Sequence, residues 1–520
     1  MDVSLKMEKI SNLIFLVLFS ILLLNSAISF ATLTNPIKEY NQFEEIGIRT
    51  NGILSSNATI ISDGYGGLYW NTATSEEPSI AAASNGLVHV VWQDSTSGVW
   101  GSDYEIMYVY FDPDFGWSNV TVISDGYNGS YWNEGYSDDP AIAVDRQNNV
   151  HVVFADDTAG PWGIDNEIFY VNYAPDIGWS NITVISDGYG GSYWNYGDSY
   201  EPSIAIDSYD NIHVVWYDYS EGVWGNDMEI MYVMNTQSEG WSNVTVISDG
   251  YGGSYWNDGS SQYPSIVADV TDLHVVWYDE TDGIWGDDIE IMYTKYTQSE
   301  GWSNATVISD GYGGSYWNID NSLSPSIACN FGEIYVVWED HTDGIWGTDS
   351  EIMYTKYLPT SGWSNATVIS DGYGLRYWND AQSTNPAIIV DYRNILHVIW
   401  QDYTDGIWGI DTEIMYINWT DAYGWTNVSI ISDGYAGSYW NNDLSRNPAI
   451  SSHYTNLYIV WQDATNGVWG TDDEIMCIHL NIPFAPLPQT IILLIPIGFH
   501  FLLGLLVAII GLIYLTKRKL

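Results

Sequence analysis

Residues 248–257 read Ser-Asp-Gly-Tyr-Gly-Gly-Ser-Tyr-Trp-Asn, and this stretch recurs with small changes seven times along the 520-residue chain. A period this regular is the sequence signature of one supersecondary unit copied around or along an axis. A residue that is present in every copy is expected to build the copy, which weakens a functional interpretation of invariant residues. The copies begin 61 or 62 residues apart, at Ser62, Ser124, Ser186, Ser248, Ser309, Ser370 and Ser432.

Between two such stretches the chain carries four short segments rich in β-branched and aromatic residues. In the third copy they are residues 202–207, 211–217, 229–233 and 241–248. Gly, Asp, Asn and Ser fill the gaps, as is typical of turns between strands. No stretch between the terminal segments shows a helical period. Four strands in each of seven copies predict an all-β fold, a seven-bladed β-propeller of four-stranded blades.

The ends of the repeat region indicate how the ring closes. The last copy stops after its third strand, near residue 478, and residues 57–63 supply the missing fourth strand ahead of the first blade. An N-terminal strand that completes the last blade removes two exposed sheet edges. A solenoid, the competing architecture, would need distinct capping repeats. We therefore expect a closed propeller over residues 57–482, with blades that start near residues 78, 140, 202, 264, 325, 386 and 448.

Two apolar segments flank the predicted propeller. Residues 1–31 combine a basic start, an apolar run and small residues near Ala31, as is typical of a secretory signal peptide. Residues 491–515 are long and apolar enough to span a bilayer, and a basic tail at 516–520 follows them. With the Pro-rich stem at 483–490, they predict a single-pass protein of the cell membrane, its propeller extracellular and its C-terminus cytoplasmic. An uncleaved N-terminal anchor and a removed lipid-anchor signal are the disfavoured alternatives.

The charge balance excludes some partners. The chain has 66 Asp and Glu but only 13 Lys and Arg, which gives a net charge of −53. Phosphate contacts need Lys and Arg, so nucleic acid is excluded as a partner. Anionic membrane surfaces are excluded for the same reason. The only cysteines, Cys329 and Cys477, fall in blades five and seven, which are not adjacent, so we expect no disulfide between them.

Two kinds of loop share one face of such a propeller: the loop between strands two and three, and the loop from strand four to the next blade. In the third copy they are residues 216–229 and 248–257, and we call the face that carries them and their counterparts the loop-rich face. Its Trp, Tyr, Asn and Asp residues suit sugar binding. The alternative is a structural girdle, in which each Trp packs against the neighbouring blade. Recurrence in every copy favours the girdle, and the two roles are compatible for different Trp residues.

Carboxylates recur as strictly as the aromatic residues. One Asp follows the second strand of each copy, and another stands two residues before a Glu, as in Asp227 and Glu229 or Asp288 and Glu290. Buried carboxylates without cations need other partners. Hydrogen bonds in the turns are the favoured interpretation, and Ca²⁺ bound by these four residues is the alternative. The second strand carries a His in five copies, such as His213, and a Tyr at the same position in the other two. A position that accepts Tyr is predicted to be a packing position rather than a metal ligand.

Each copy also has a sequon at the start of its fourth strand. An Asn followed two residues later by Thr or Ser is a candidate glycan acceptor on an extracellular protein. The alternative is a turn Asn before a strand Thr, repeated only because the blade is repeated, and the sequence leaves both open. The seven candidates are Asn57, Asn119, Asn181, Asn243, Asn304, Asn365 and Asn427.

Four motifs recur between residues 57 and 480: Pro-Ser-Ile-Ala-x-Asp, Asn-x-His-Val-Val-Trp, Asp-x-Glu-Ile-Met-Tyr and Gly-Trp-Ser-Asn. They resemble the repeats of sialidase-like β-propeller proteins, although only the end of that family's Ser-x-Asp-x-Gly-x-Thr-Trp hairpin is kept. The family's catalytic site uses three arginines, a Tyr–Glu pair and an Asp. Here the loop-rich face offers only Arg376 and Arg446, since Arg146 and Arg393 fall on the opposite face. The resemblance therefore implies the fold rather than sialidase activity, and we assign no catalytic residue.

Departures from the repeat are better site candidates than the repeat itself, although sequence drift also produces them. Arg376, for example, replaces a Ser just before the Tyr-Trp pair of its copy. The candidate ligand-binding residues are Arg376, Tyr377, Trp378, Trp408, Trp440, Arg446 and His341.

We therefore expect a surface-anchored propeller that binds glycans or cell-surface proteins through its loop-rich face. A glycoside hydrolase of sialidase-like fold and a structural envelope protein are the alternatives. Acids are abundant, but none is unique to one blade, so the sequence does not decide whether the protein is an enzyme.

Overall fold

The structure is a computed structural model, and it describes residues 58–482 and the backbone of residues 54–55, with gaps. The predicted signal peptide, stem, membrane helix and cytoplasmic tail lie outside the described residues. Within the described residues, no helix has the length and apolar character needed to cross a membrane. The gaps are residues 64–70, 126–132, 188–194, 250–256, 311–317, 372–378 and 434–440, and positions 223, 284, 345, 407–408, 442 and 468.

The chain forms seven antiparallel sheets, each with three long strands and a short outer strand in two pieces. The first strands are Ser75–Ala82, Ser137–Val144, Ser199–Ile206, Ser261–Asp269, Ser322–Asn330, Ser383–Val390 and Ser445–His453. The second strands are Val88–Asp94, Val150–Asp156, Ile212–Asp218, Asp272–Asp279, Glu333–Asp340, Leu396–Asp402 and Asn456–Asp463. The third strands are Glu105–Asp112, Glu167–Ala174, Glu229–Thr236, Glu290–Thr297, Glu351–Leu358, Glu413–Thr420 and Glu474–Asn481.

Both pieces of each outer strand pair with the third strand of the same blade. In blades one to six the first pieces are Gly116–Trp117, Gly178–Trp179, Gly240–Trp241, Gly301–Trp302, Gly362–Trp363 and Gly424–Trp425. The second pieces are Thr121–Val122, Thr183–Val184, Thr245–Val246, Thr306–Val307, Thr367–Val368 and Ser429–Ile430. The predicted four-stranded blade is therefore confirmed, with a fourth strand that is interrupted at the sequon.

The N-terminal segment closes the ring as expected. Leu54–Ser55 and Thr59–Ile60 take the place of the outer strand in blade seven and pair with Glu474–Asn481. The Ile61 backbone N–H donates to the Ile475 carbonyl oxygen over 2.9 Å. The first strand of every blade also contacts the first strands of both neighbouring blades, including the contact between blades seven and one. The fold is therefore a closed seven-bladed propeller whose first strands surround the central axis.

Apolar side chains pack between adjacent blades. Between blades two and three, for example, Ile168 packs with Trp216 and Met231, all three with no exposed surface. Burial of a Trp of this kind stabilises a fold by about 3–5 kcal/mol relative to Ala. The outer strand contributes as well, since Trp241 contacts Tyr170 of the preceding blade edge to face, with ring centroids 4.9 Å apart. Trp241 stands on the outer strand, whereas the girdle interpretation refers to the Trp residues of the loop-rich face. Of those in blade three, Trp224 packs against the same cluster between blades, as that interpretation predicts, and Trp256 lies outside the described residues.

Candidate functional site

The Asp that ends each second strand anchors the loop-rich face. In blade three, Asp218 is completely buried. Its Oδ2 accepts hydrogen bonds from Ser199 Oγ at 2.8 Å, Asn195 Nδ2 at 2.9 Å and Trp216 Nε1 at 3.1 Å. Its Oδ1 accepts the backbone N–H of Ser220 over 2.7 Å. The hydrogen-bonded turn predicted for this Asp is confirmed, and a carboxylate with four donors holds both loops in place.

The Asn of the Tyr-Trp-Asn stretch and the Trp of the Gly-x-Trp-Gly turn complete this network. Asn195 accepts hydrogen bonds from the Ser220 hydroxyl and from the Gly197 backbone N–H, the latter over 3.1 Å. Trp224 Nε1 donates to the Ser220 carbonyl oxygen over 3.0 Å. Because every donor and acceptor here has a partner inside the protein, these repeated residues are structural.

The Glu at the start of each third strand is also buried, but only one of its carboxyl oxygens is hydrogen-bonded to another described residue. Glu229 has no exposed surface, and its Oε2 accepts a hydrogen bond from the Ser248 hydroxyl. Its Oε1 is buried without a hydrogen-bond partner among the described residues. Burial raises the pKa of Glu229 to about 9, and Asp249 and Asp227 add to the shift by repulsion. With no cation beside it, the Glu229 carboxyl is therefore neutral near pH 7.

The alternative interpretation, Ca²⁺ binding, concerns the Asp and Glu that stand two residues apart, such as Asp227 and Glu229. Within the described residues, no group of three or more His, Cys, Asp or Glu side chains is arranged to hold a metal ion. Asp227 and Asp288 each bury one carboxylate oxygen that has no hydrogen-bond partner in the same part of the chain, as do Glu229 and Glu290. Calcium binding at these residues stays a prediction. The repeated His is a packing residue as expected, since His213 is buried and stacks on Tyr232 with ring centroids 6.1 Å apart, and its Nδ1 lies 2.9 Å from the Tyr232 hydroxyl.

The first strand of each blade carries the strongest departure from the repeat. It begins Ser-x-x-Pro in all seven copies, and the two middle residues differ from blade to blade. The second of them lies in a β-bulge and has a positive φ of 48° to 53°. Non-glycine residues in this conformation cost about 1–3 kcal/mol each and cluster at functional sites. These bulge residues are Glu77, Asp139, Glu201, Tyr263, Ser324, Asn385 and Asn447.

The bulges lie at the loop-rich end of the seven innermost strands. Ser199, for example, pairs with Asp218 at the loop-rich end of its blade, and Glu201 follows two residues later. Since the first strands surround the axis, the seven bulges surround it too. We call the two middle residues of the seven Ser-x-x-Pro stretches the central mouth.

The central mouth is acidic in blades one to three. The carboxyl group of Glu77 is hydrogen-bonded to that of Asp139, and burial together with the charge of Asp139 raises the pKa of Glu77 well above its usual range. Burial, again reinforced by Asp139, also raises the pKa of Glu201. The Glu201 backbone N–H donates to Asp139 Oδ2 over 3.3 Å. Two carboxyl groups in direct contact cannot both be ionised, so the cluster holds at least one proton at neutral pH.

A cluster of tyrosines adjoins these acids in blades three and four. Tyr263 stacks on Tyr278 with a centroid distance of 5.4 Å and on Tyr217 at 6.1 Å. The charge of Glu201, together with burial of the ring, raises the pKa of Tyr263. Tyr219 and Tyr263 expose 43% and 40% of their surface, so their rings are accessible. The tyrosine cluster consists of Tyr200, Tyr217, Tyr219, Tyr263 and Tyr278.

Two of the predicted ligand-binding residues lie at or beside this mouth. Arg446 belongs to it in blade seven, where its Nη2 donates to Asp473 Oδ2 over 2.8 Å. His341 Nε2 lies 2.8 Å from Glu339 Oε1, and this contact raises the pKa of His341. Glu339 is in turn paired with Leu323 of the mouth. The other predicted residues, Arg376, Tyr377, Trp378, Trp408 and Trp440, lie outside the described residues.

Sequence reasoning missed the acids and tyrosines of the central mouth. The signal was available, because two variable residues stand between an invariant Ser and an invariant Pro in every copy. Such variation within an otherwise strict repeat marks positions that the blade itself does not need.

The comparisons with known proteins concern the fold and not the function. No family model and no curated protein matches the sequence. The similar solved structures include polysaccharide lyase Uly1, with 10% identity and a TM-score of 0.47 over 83% of this chain and 99% of that one. They also include the NanB sialidase of Streptococcus pneumoniae, with 12% identity and a TM-score of 0.40 over 82% of this chain and 70% of that one.

A third similar structure is the intramolecular trans-sialidase of Ruminococcus gnavus, with 11% identity and a TM-score of 0.39 over 82% of this chain and 97% of that one. At these identities the likeness concerns the chain fold and not the site. The topology of its seven sheets gives the chain the seven-bladed β-propeller fold that its repeat predicts.

Proposed function

We propose that this protein binds neutral glycans at the central mouth of its loop-rich face. The observation that carries the proposal is the tyrosine cluster beside the carboxyl groups of Glu77, Asp139 and Glu201. Tyr rings offer flat apolar faces for the apolar faces of sugar rings, and their hydroxyls are both donors and acceptors. Carboxyl groups accept hydrogen bonds from sugar hydroxyls.

The charge of the mouth favours neutral over anionic glycans. Five acids stand at mouth positions in blades one to three, and Arg446 is the single basic residue among the fourteen mouth positions. A contact between like charges across an interface costs roughly several kcal/mol, so the binding of a glycan with a uronate or sulfate group would be disfavoured. The mouth residues are Glu76, Glu77, Asp138, Asp139, Tyr200, Glu201, Gln262, Tyr263, Leu323, Ser324, Thr384, Asn385, Arg446 and Asn447.

Hydrolysis is the second candidate, because the central mouth contains carboxyl groups with raised pKa values. Glycosidases keep their two carboxyl groups about 5 Å or more apart so that the glycosidic bond lies between them. Glu77 and Asp139 are in hydrogen-bond contact, which leaves no room for that bond. This pair therefore does not support hydrolysis, whereas the tyrosine cluster supports binding.

Display on the cell surface is part of the same proposal. It rests on the apolar segment at 491–515, the basic residues after it and the secretory signal at 1–31, all read from the sequence. An anchor of this kind would hold the propeller outside the cell, where it could meet glycans.

A glycan array with the full chain in detergent tests the function. We expect neutral oligosaccharides to bind, and Tyr263→Ala and Tyr219→Ala each to weaken binding about 3- to 10-fold, as loss of one aromatic contact implies. Tyr209→Ala is the matched control, since Tyr209 is even more exposed, at 69%, but lies in the loop between strands one and two, on the opposite face.

Three results would contradict the proposal. Binding of no glycan would favour a structural role, and equal losses in the Tyr209 and Tyr263 variants would place the site elsewhere. Release of reducing sugar from a bound glycan would identify a hydrolase instead.

A further inference from the structure

The six described sequon asparagines have no structural role that the fold reveals. All six side chains are exposed on the outermost strand of their blades. Within the described residues, none of these side chains forms a hydrogen bond or ion pair. The exposed residues are Asn119, Asn181, Asn243, Asn304, Asn365 and Asn427.

Their immediate neighbours, in contrast, are repeated for reasons that the structure supplies. The Ser242 hydroxyl accepts the backbone N–H of Met234 over 3.0 Å and so joins the outer strand to the third strand. Val244 packs against the apolar cluster between blades two and three. Asn243 stands between these two residues with its side chain in solvent.

Exposed positions nearby have changed freely between the copies. The residue four positions before each of the six asparagines is also exposed, at the tip of the hairpin between strands three and four. Its identity is Phe115, Ile177, Glu239, Glu300, Ser361 and Tyr423 in turn. Duplication alone therefore does not preserve an exposed side chain in this chain, and the retained Asn needs a cause outside the fold.

The residue two positions after each Asn points to that cause. It is Thr in five of the six described blades and Ser429 in the sixth, and no other residue type occurs there. The five Thr side chains are exposed. Two of them, Thr306 and Thr367, donate only long hydrogen bonds, of 3.4 and 3.5 Å, to carbonyl oxygens of the third strand, and a β-strand would also accept Val, Ile or Tyr at such a position. A requirement for Asn together with a hydroxyl two residues later is the requirement of N-glycosylation.

We propose that these six asparagines carry N-linked glycans that surround the outer wall of the propeller. The donor is an oligosaccharide joined through its anomeric carbon to a polyprenyl phosphate or diphosphate, and a transferase of the secreting cell is the catalyst. A bond forms between Asn Nδ2 and the anomeric carbon as the bond from that carbon to the phosphate oxygen breaks. The lipid phosphate leaves with the electron pair, and the amide nitrogen gives up one proton.

Glycans at these positions would protect the exposed sheet edges of the propeller. The outer strand is the exposed edge of each blade, and an uncovered edge can pair with another chain. A bulky hydrophilic group between the two pieces of that strand would block such pairing. The glycans would stand on the outer wall, away from the central mouth, so they would not compete with a ligand there.

The chain contains an internal control for this proposal. Asn418, Trp419 and Thr420 also form a sequon, but they lie in a third strand that is paired on both sides. Asn418 is half-buried, and its Nδ2 donates to the Tyr416 hydroxyl over 3.1 Å. An amide nitrogen engaged in this way is inaccessible to a transferase, so we expect Asn418 to stay unmodified.

Mass spectrometry of peptides from the full chain, purified from the cells that produce it, tests the proposal. We expect sugar mass on peptides with the six exposed asparagines and the plain sequence mass on the Asn418 peptide. Thr245→Val, which keeps the β-branched shape, should remove the glycan from Asn243 alone, whereas Thr245→Ser should keep it.

The opposite outcomes would overturn the proposal. Sequence masses at all six peptides would show that the sequons are unused. A glycan that persists on Asn243 in the Thr245→Val variant, or equal occupancy at Asn418, would show that the modification follows neither the sequon nor exposure.

Discussion

Replacement of Glu229 by Gln should stabilise the propeller at neutral pH, although it alters a completely buried residue. The Glu229 carboxyl accepts a hydrogen bond from Ser248, and burial, with repulsion from Asp249 and Asp227, raises its pKa to about 9. Gln has nearly the same shape, and its carbonyl oxygen can accept the Ser248 hydroxyl. Its amide group stays neutral at every pH, so it needs no proton to lie beside Asp249 and Asp227.

The magnitude follows from the difference in pKa between the folded and unfolded states. The ordinary pKa of this carboxyl is 4.5, so between pH 4.5 and about 9 the unfolded chain has released a proton that the folded chain retains. The contribution of this site to folded stability is therefore most favourable below pH 4.5, and it falls by about 1.4 kcal/mol per pH unit as the pH rises toward 9. At pH 7.5 the full effect of one site is about 4 kcal/mol, and structural relaxation reduces the expected gain in the variant to about 1–3 kcal/mol.

Thermal unfolding followed by circular dichroism at pH 4.5 and pH 7.5 measures this effect. We expect Glu229→Gln to raise Tm at pH 7.5 and to leave it nearly unchanged at pH 4.5. Glu239→Gln is the matched control, because Glu239 is exposed in the hairpin of the same blade and should change Tm at neither pH.

A Glu229→Gln variant with an unchanged or lower Tm at pH 7.5 would refute the reasoning. If the variant had a lower Tm than the unaltered protein only in the presence of Ca²⁺, and a chelator removed the difference, a bound cation would be neutralising the Glu229 carboxylate, as the calcium interpretation requires.

Three further changes have defined outcomes. Asp218→Ala should lower the unfolding free energy by about 3–5 kcal/mol, because it leaves buried donors without an acceptor; chemical denaturation measures this, and a loss below about 1 kcal/mol would contradict it. Ser62→Ala and Ser248→Ala should each cost about 1–2 kcal/mol in the same assay if the closing strand acts like the outer strand of any other blade. A reductant should leave Tm unchanged, because Cys329 and Cys477 are free thiols, and a drop in Tm would reveal a disulfide.

Much of the fold could be predicted because each strand is specified locally. Turn residues and β-branched segments placed the second and third strands of blade three within a few residues of Ile212–Asp218 and Glu229–Thr236. The first strand begins three residues earlier than expected, at Ser199, because the chain continues pairing through a bulge that no sequence period reveals.

The site was predicted less well than the fold. The loop-rich face, the hydrogen-bonded role of Asp218 and the packing role of His213 are confirmed. The acids and tyrosines of the central mouth were not singled out, because in sequence Glu77, Asp139 and Glu201 are 62 residues apart and each resembles an ordinary surface residue.

The sequence by itself determined the number of blades, their strand order and the segment that closes the ring, because a repeat period and strand patterns are properties of consecutive residues. Only the tertiary structure decided which side chains meet at the axis and which carboxyl groups keep a proton. Residues one blade apart come together only when the ring is closed, and a pKa shift arises only when packing removes water from a carboxyl group and brings other charges close to it.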